Sequence, residues 1–155
     1  MRQESGRSMV EIIGVIAIMA LISAGAFILI RSGMASQKRS IIVDDVSKIV
    51  SGIRSLYSDY DDLATLDGDG AMVAMGVDTS GPDGVMYTVA PVKNSDNKYM
   101  LFKVTIGGGL SYQDCMVLGA KSWSGAVAST EDDENPFADC DVDNEENTIE
   151  IKYDK

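Results

Sequence analysis

Apolar and polar positions follow two different patterns along this chain. From Ile12 to Ile30 the residues are almost all apolar, with one hydroxyl, Ser23, inside the run and one carboxylate, Glu11, at its front edge. At about 1.5 Å of rise per residue this run spans close to the ~30 Å hydrocarbon thickness of a bilayer, which predicts a transmembrane helix. After the polar step RSGMASQKRS, residues 31–40, the pattern becomes periodic. Val46, Ile49, Val50, Ile53, Leu56, Tyr57 and Tyr60 recur at three- and four-residue spacing and mark one face of an amphipathic helix. Joined, the two stretches predict a single helix from about Ser8 to Tyr60, roughly 80 Å long, whose second half lies against a sheet.

The pattern then changes period. Residues 61–84, DDLATLDGDGAMVAMGVDTSGPDG, are rich in Gly and Asp and read as a loop between helix and sheet. VMYTVAPV, residues 85–92, and KYMLFKVTI, residues 98–106, read as strands. In the second, Met100, Phe102, Val104 and Ile106 share a face, and KNSDN between the strands is a hairpin turn. LSYQDCMVLGAK, residues 110–121, reads as a short helix with Ser111 as N-cap and Asp114 in the first turn. STEDDENPFADCDVDNEEN, residues 129–147, reads as an acidic loop. NTIEIKY, residues 147–153, is a last strand with Ile149, Ile151 and Tyr153 inward. The expected fold is α+β, a long N-terminal helix packed on an antiparallel sheet.

Composition narrows the functions. The chain has 155 residues, room for one domain plus an appendage. Its formal net charge of -11 repels nucleic acid phosphates, so no nucleic-acid partner is expected for the monomer. There is no histidine, which removes the commonest general base and the commonest neutral metal ligand. There is no nucleophile elbow, and Gly107–Gly109 lacks the lysine of a phosphate loop, so no enzyme is expected. Trp123 and the tyrosines read as core or subunit contacts rather than a substrate platform. The two cysteines, Cys115 and Cys140, form neither a CxxC pair nor a zinc site alone. If this part of the chain is exported they make one disulfide; in a cytosolic protein they would be two buried thiols.

Two readings of the apolar run are open at this point. Ala24–Ala26, AGA, offers the small-residue exit of a cleaved secretory signal, but apolar residues continue through Phe27 to Ile30, beyond that exit. For a membrane span, Arg31, Lys38 and Arg39 after the helix outweigh Arg2 and Arg7 before it. A long C-terminal domain translocates largely regardless of such charges, and the cysteine pair places the head on the oxidising side. The N-terminus is thus expected in the cytoplasm.

Gly6, then Arg7, Ser8, Met9, Val10 and Glu11, then the apolar run, together resemble the class III signal of type IV pilins and related pseudopilins. The resemblance covers about the first 60 residues. It implies a pilin-like fold with a leader at 1–6, an assembly and transmembrane helix at 7–30, an amphipathic continuation at 31–60 and a globular head at 61–155. A prepilin peptidase would cut between Gly6 and Arg7, leaving Glu11 as the fifth residue. Arg7 departs from the apolar residue usual at the new terminus, and no proline interrupts the apolar helix as it does in many pilins.

By the same resemblance Glu11 pairs with the freed amine of Arg7 on an adjacent subunit of a helical homopolymer, the Arg7 guanidinium supplementing it. The partners implied are further copies of the chain, the inner membrane before assembly, and an assembly platform with its ATPase. The precursor would sit in a bacterial inner membrane with its head in the periplasm, and the product would be an extracellular pilus. Closing Cys115 to Cys140 resembles the disulfide-bounded C-terminal region of that family, and the spacing looks more like its type IVb branch.

The alternatives are a pseudopilin of a type II secretion system and a single-pass anchored binding domain that never polymerises. No cofactor is expected. Calcium at Asp67, Asp69, Asp141, Asp143 and Glu145 is weighed because some pseudopilins bind it, but neither stretch has the sixth-position glycine of an EF-hand, which favours a solvated acidic surface.

Overall fold

The computed structural model describes residues 5–128, 134–143 and 146–155. The chain divides into two units, one ending at Gln37 and the other running from Lys38 to Lys155. Helix α1, Ser5–Leu56, is the only secondary-structure element among the described residues of the first unit and opens the second.

In the second unit α1 is followed by α2, Gly68–Met75, a 3₁₀ turn at Pro82–Gly84, β1, Val85–Val92, and β2, Leu101–Gly108. Helix α3, Tyr112–Gly119, β3, Phe137–Asp139, and β4, Thr148–Asp154, complete it. The strands form one antiparallel sheet in the order β1-β2-β4-β3. A long helix on an antiparallel sheet is the α+β arrangement that the sequence pattern predicts and is compatible with a pilin-like head.

The core follows from the two periodicities. On α1, Ile42, Val46, Ile49, Val50 and Ile53 are buried at helical spacing. On the strands, Val85, Tyr87 and Val89, then Phe102, Val104 and Ile106, then Ile149, Ile151 and Tyr153 are buried at alternate positions. These residues form one cluster with Leu63, Leu66 and Met72. Phe102 and Tyr153, directly opposite in the β2–β4 register, stack with ring centroids 5.6 Å apart. Each such side chain fully buried contributes about 1.5–3 kcal/mol, so the helix–sheet seam is the main source of stability.

Several expectations need correction. Helix α1 ends at Leu56, short of Tyr60; Leu56 is 43% and Tyr60 54% exposed, while Ile42 joins the buried face instead. Asp59, Asp61 and Asp62 follow directly, and carboxylates at a helix C-terminus oppose its dipole. Asp62 instead accepts a hydrogen bond from Ala64 N at 3.0 Å, starting the turn.

The stretch 61–84 is not all loop. Ala71 and Met72 are buried by the short helix α2, which ends where Gly76 adopts the left-handed conformation, φ 67°, and Val77 N donates to Met72 O at 3.0 Å. The acidic stretch contains β3, because Ala138 pairs with Ile149 and Asp139 with Thr148 on the free edge of β4. The second strand begins at Leu101 rather than Lys98, since Asn94 Oδ1 accepts from both Asp96 N and Lys98 N and holds those residues in the turn.

Candidate assembly surface

The first unit presents an apolar helix. Among the described side chains from Met9 to Met34, every large apolar residue is at least 52% exposed. Two hydroxyls are satisfied within the helix: Ser23 donates to Met19 O at 2.8 Å and Ser32 to Leu29 O at 3.0 Å, so neither interrupts the apolar surface with an unmet donor. The helix is long and apolar enough to cross a membrane. Near its far end the Arg31 guanidinium lies 4.6 Å from the centroid of Phe27.

Glu11 sits two positions into this surface from Met9. It is exposed, makes no hydrogen bond or ion pair among the described residues, and lines a shallow groove with Ile12, Val15 and Ile16. Gly6 and Arg7 fall in the first turn of α1; the Arg7 side chain lies outside the described ones, as do residues 1–4 of the leader expected at 1–6. A carboxylate on an apolar helix is costly in hydrocarbon unless it reaches water or meets a cation.

The second unit begins with a polar clasp. Asp114, 6% exposed in the first turn of α3, accepts from Arg39 Nε at 2.6 Å and from Ser111 Oγ at 2.7 Å, and the Lys38 ammonium stands 3.7 Å away. Lys38 also donates to Gly109 O at 3.2 Å and pairs with Asp83 at 3.5 Å. Ser111 caps α3 as expected, its hydroxyl accepting from Asp114 N at 3.2 Å. Burial pushes the Asp114 carboxyl up, but the hydrogen bonds from Ser111 and Arg39 and the charges of Arg39 and Lys38 outweigh it and hold the group below the usual carboxylate range. Asp114 and its cap are legible in the sequence, whereas its partners are not, because Lys38 and Arg39 lie remote from it in the chain.

The disulfide joins Cys115, fully buried on α3, to Cys140 just after β3, with Cα atoms 5.8 Å apart; free thiols are thereby excluded. Asn147, also buried, donates to Leu110 O at 3.2 Å and accepts from Asp141 N at 2.7 Å, fastening the same region. Asn135 does the work of a missing strand partner. Its amide donates to Val127 O at 2.5 Å and Lys152 O at 2.9 Å, and its carbonyl accepts from Lys152 N at 2.9 Å. The Asn135-Pro136 pair was the available sequence clue, since asparagine ahead of proline favours turns.

Of the calcium candidates, Asp141 Oδ1 accepts from Asp143 N at 3.0 Å, and Glu145 lies outside the described residues. No group of three or more metal-ligating side chains forms among the described residues. Trp123 is 8% exposed and donates to Leu118 O at 3.2 Å, a core role. No family model matches the chain, and no curated protein matches it.

Proposed function

We propose that this chain is the structural subunit of a type IV pilus, made as a prepilin, cut after Gly6 by a prepilin peptidase and polymerised through its apolar helix by an assembly platform and ATPase. The observation that carries the reading is the helix of the first unit: its described large apolar side chains are all exposed, and it is marked by one carboxylate five positions after a glycine. An exposed apolar surface of this extent needs either lipid or other copies of itself. Lipid serves before assembly and neighbouring helices serve after it.

Glu11 then has a task that lipid anchoring alone would not require. In a dry helix bundle a carboxylate and an ammonium attract strongly, but each loses its hydration, so the pair fixes docking register more than it adds stability. Replacing Glu11 by Ala is expected to give a protein that inserts in the membrane with its head folded but yields no filaments by electron microscopy. Normal filaments from that variant would contradict the reading. Cleavage at Gly6 without filaments would favour the pseudopilin, and an intact leader would favour a non-polymerising anchor.

A further inference from the structure

One face of α1 in the second unit carries Val43, Ser47, Val50, Ser51 and Arg54, spaced so that small polar side chains alternate with apolar ones along the helix. Opposite it runs the segment after α3, residues 121–125, KSWSG, which turns back on itself at Gly125 with φ 76°. Together they enclose a cleft of about 320 Å³, at the small end of the range for small-molecule sites. Trp123, held by its bond to Leu118 O, and Tyr153 of β4 also line it.

The charge of this cleft is opposite to that of the chain. The sequence has 24 acidic residues against 13 basic ones, yet among the described residues no carboxylate side chain lines the cleft, whereas Arg54 and Lys121 both do. Arg54 is fixed by two neutral partners, donating through Nε to Asp154 O at 3.0 Å and through Nη2 to Gly125 O at 3.1 Å. Its position is set while its charge is not neutralised by a carboxylate. Lys121 has no ion pair among the described residues, and the hydroxyls of Ser51, Ser122 and Ser124 have no hydrogen bond among them. Each of these serines can both donate and accept.

We propose that this cleft binds an acidic monosaccharide unit of the hexuronate class, free or at the end of a glycan. Its carboxylate meets Arg54 and Lys121 in charge-assisted hydrogen bonds, and its ring hydroxyls meet the serines. A bare oxyanion would use the cations but leave the serines idle, and a neutral sugar would use the serines but leave the cations unpaired. The inference concerns the subunit alone and stands whether or not the chain polymerises.

Trp123, the single tryptophan, gives the cleft its own reporter. The full chain in detergent micelles, titrated with glucuronate, glucose and inorganic phosphate, is followed by tryptophan fluorescence, with calorimetry on the same samples to register binding that leaves the indole unchanged. Saturable glucuronate binding at millimolar concentrations or below is expected, at least tenfold tighter than either glucose or phosphate. Lys121→Gln, at an exposed position away from the core, is expected to weaken it at least tenfold without moving the melting temperature. Absence of glucuronate binding by both methods would overturn the proposal. So would phosphate or glucose binding as tightly as glucuronate, or an unchanged affinity in Lys121→Gln.

Discussion

Asp114 links the stability of the head to acid pH. Its carboxyl titrates below the usual carboxylate range in the folded chain, so between the folded value and the ordinary 3.8 the unfolded state binds more protons. The stabilisation is therefore complete above the ordinary value and is lost as pH falls through the folded one. In Asp114→Asn this component vanishes, leaving Arg39 and Lys38 without their shared anion. That variant is expected to be less stable at neutral pH by about 2–3 kcal/mol, the order of a partly buried ion pair losing one member. The gap from the parent should narrow below about pH 4, as urea midpoints measured across pH would show; a constant gap would contradict the assignment.

Two tyrosines set the alkaline limit by the same linkage with the opposite sign. Burial pushes the Tyr153 phenol up to about 12, and burial followed by the charge of Asp45, whose carboxylate accepts from the Tyr87 hydroxyl at 3.3 Å, raises Tyr87 as well. Groups raised in the folded state contribute stability that is fully present below the ordinary value of about 10 and is lost as pH rises through the folded one. Spectrophotometric titration should show the phenolates of Tyr87 and Tyr153 appearing together with loss of tertiary structure. Ionisation of these two near pH 10 with the fold intact would contradict it.

Among the elements, strands and the helix–sheet seam were legible because their periods are strict: Ile149, Ile151 and Tyr153, like Phe102, Val104 and Ile106, sit inward as the alternation requires. Helix α2 was not, because Gly68 and Gly70 at its start carry the composition of a loop. Gly68 is required there by a different constraint, since a side chain at that position would collide with the Val89 carbonyl of β1. Strand β3 was hidden for the converse reason: its three residues take their strand character from the edge of β4, not from their own propensity. The disulfide ties this weak element to α3. Across its separation of 25 residues, restricting the unfolded chain is expected to contribute about 3 kcal/mol. Paired Cys115→Ser and Cys140→Ser replacement should lower unfolding stability by that order in urea titration, and an unchanged midpoint would contradict it.

For the molecule as a whole, the assembly surface was readable from sequence as far as its composition: an unbroken apolar run, its length, and the position of Glu11 after Gly6. Which residues meet across it was not readable, because the contacts proposed there are between chains and leave no periodic trace in one. The cleft between α1 and the 121–125 segment was invisible for a related reason, as serines on a helix read only as its solvated side. The chain thus combines a head stabilised by its own core with a helix whose described apolar side chains are exposed. The most direct test is the intact mass of the protein isolated from the cells that make it. The account predicts a chain beginning at Arg7, shorter by the six residues MRQESG, recovered in filaments. A product that retains Met1–Gly6 and stays monomeric in the membrane would contradict it.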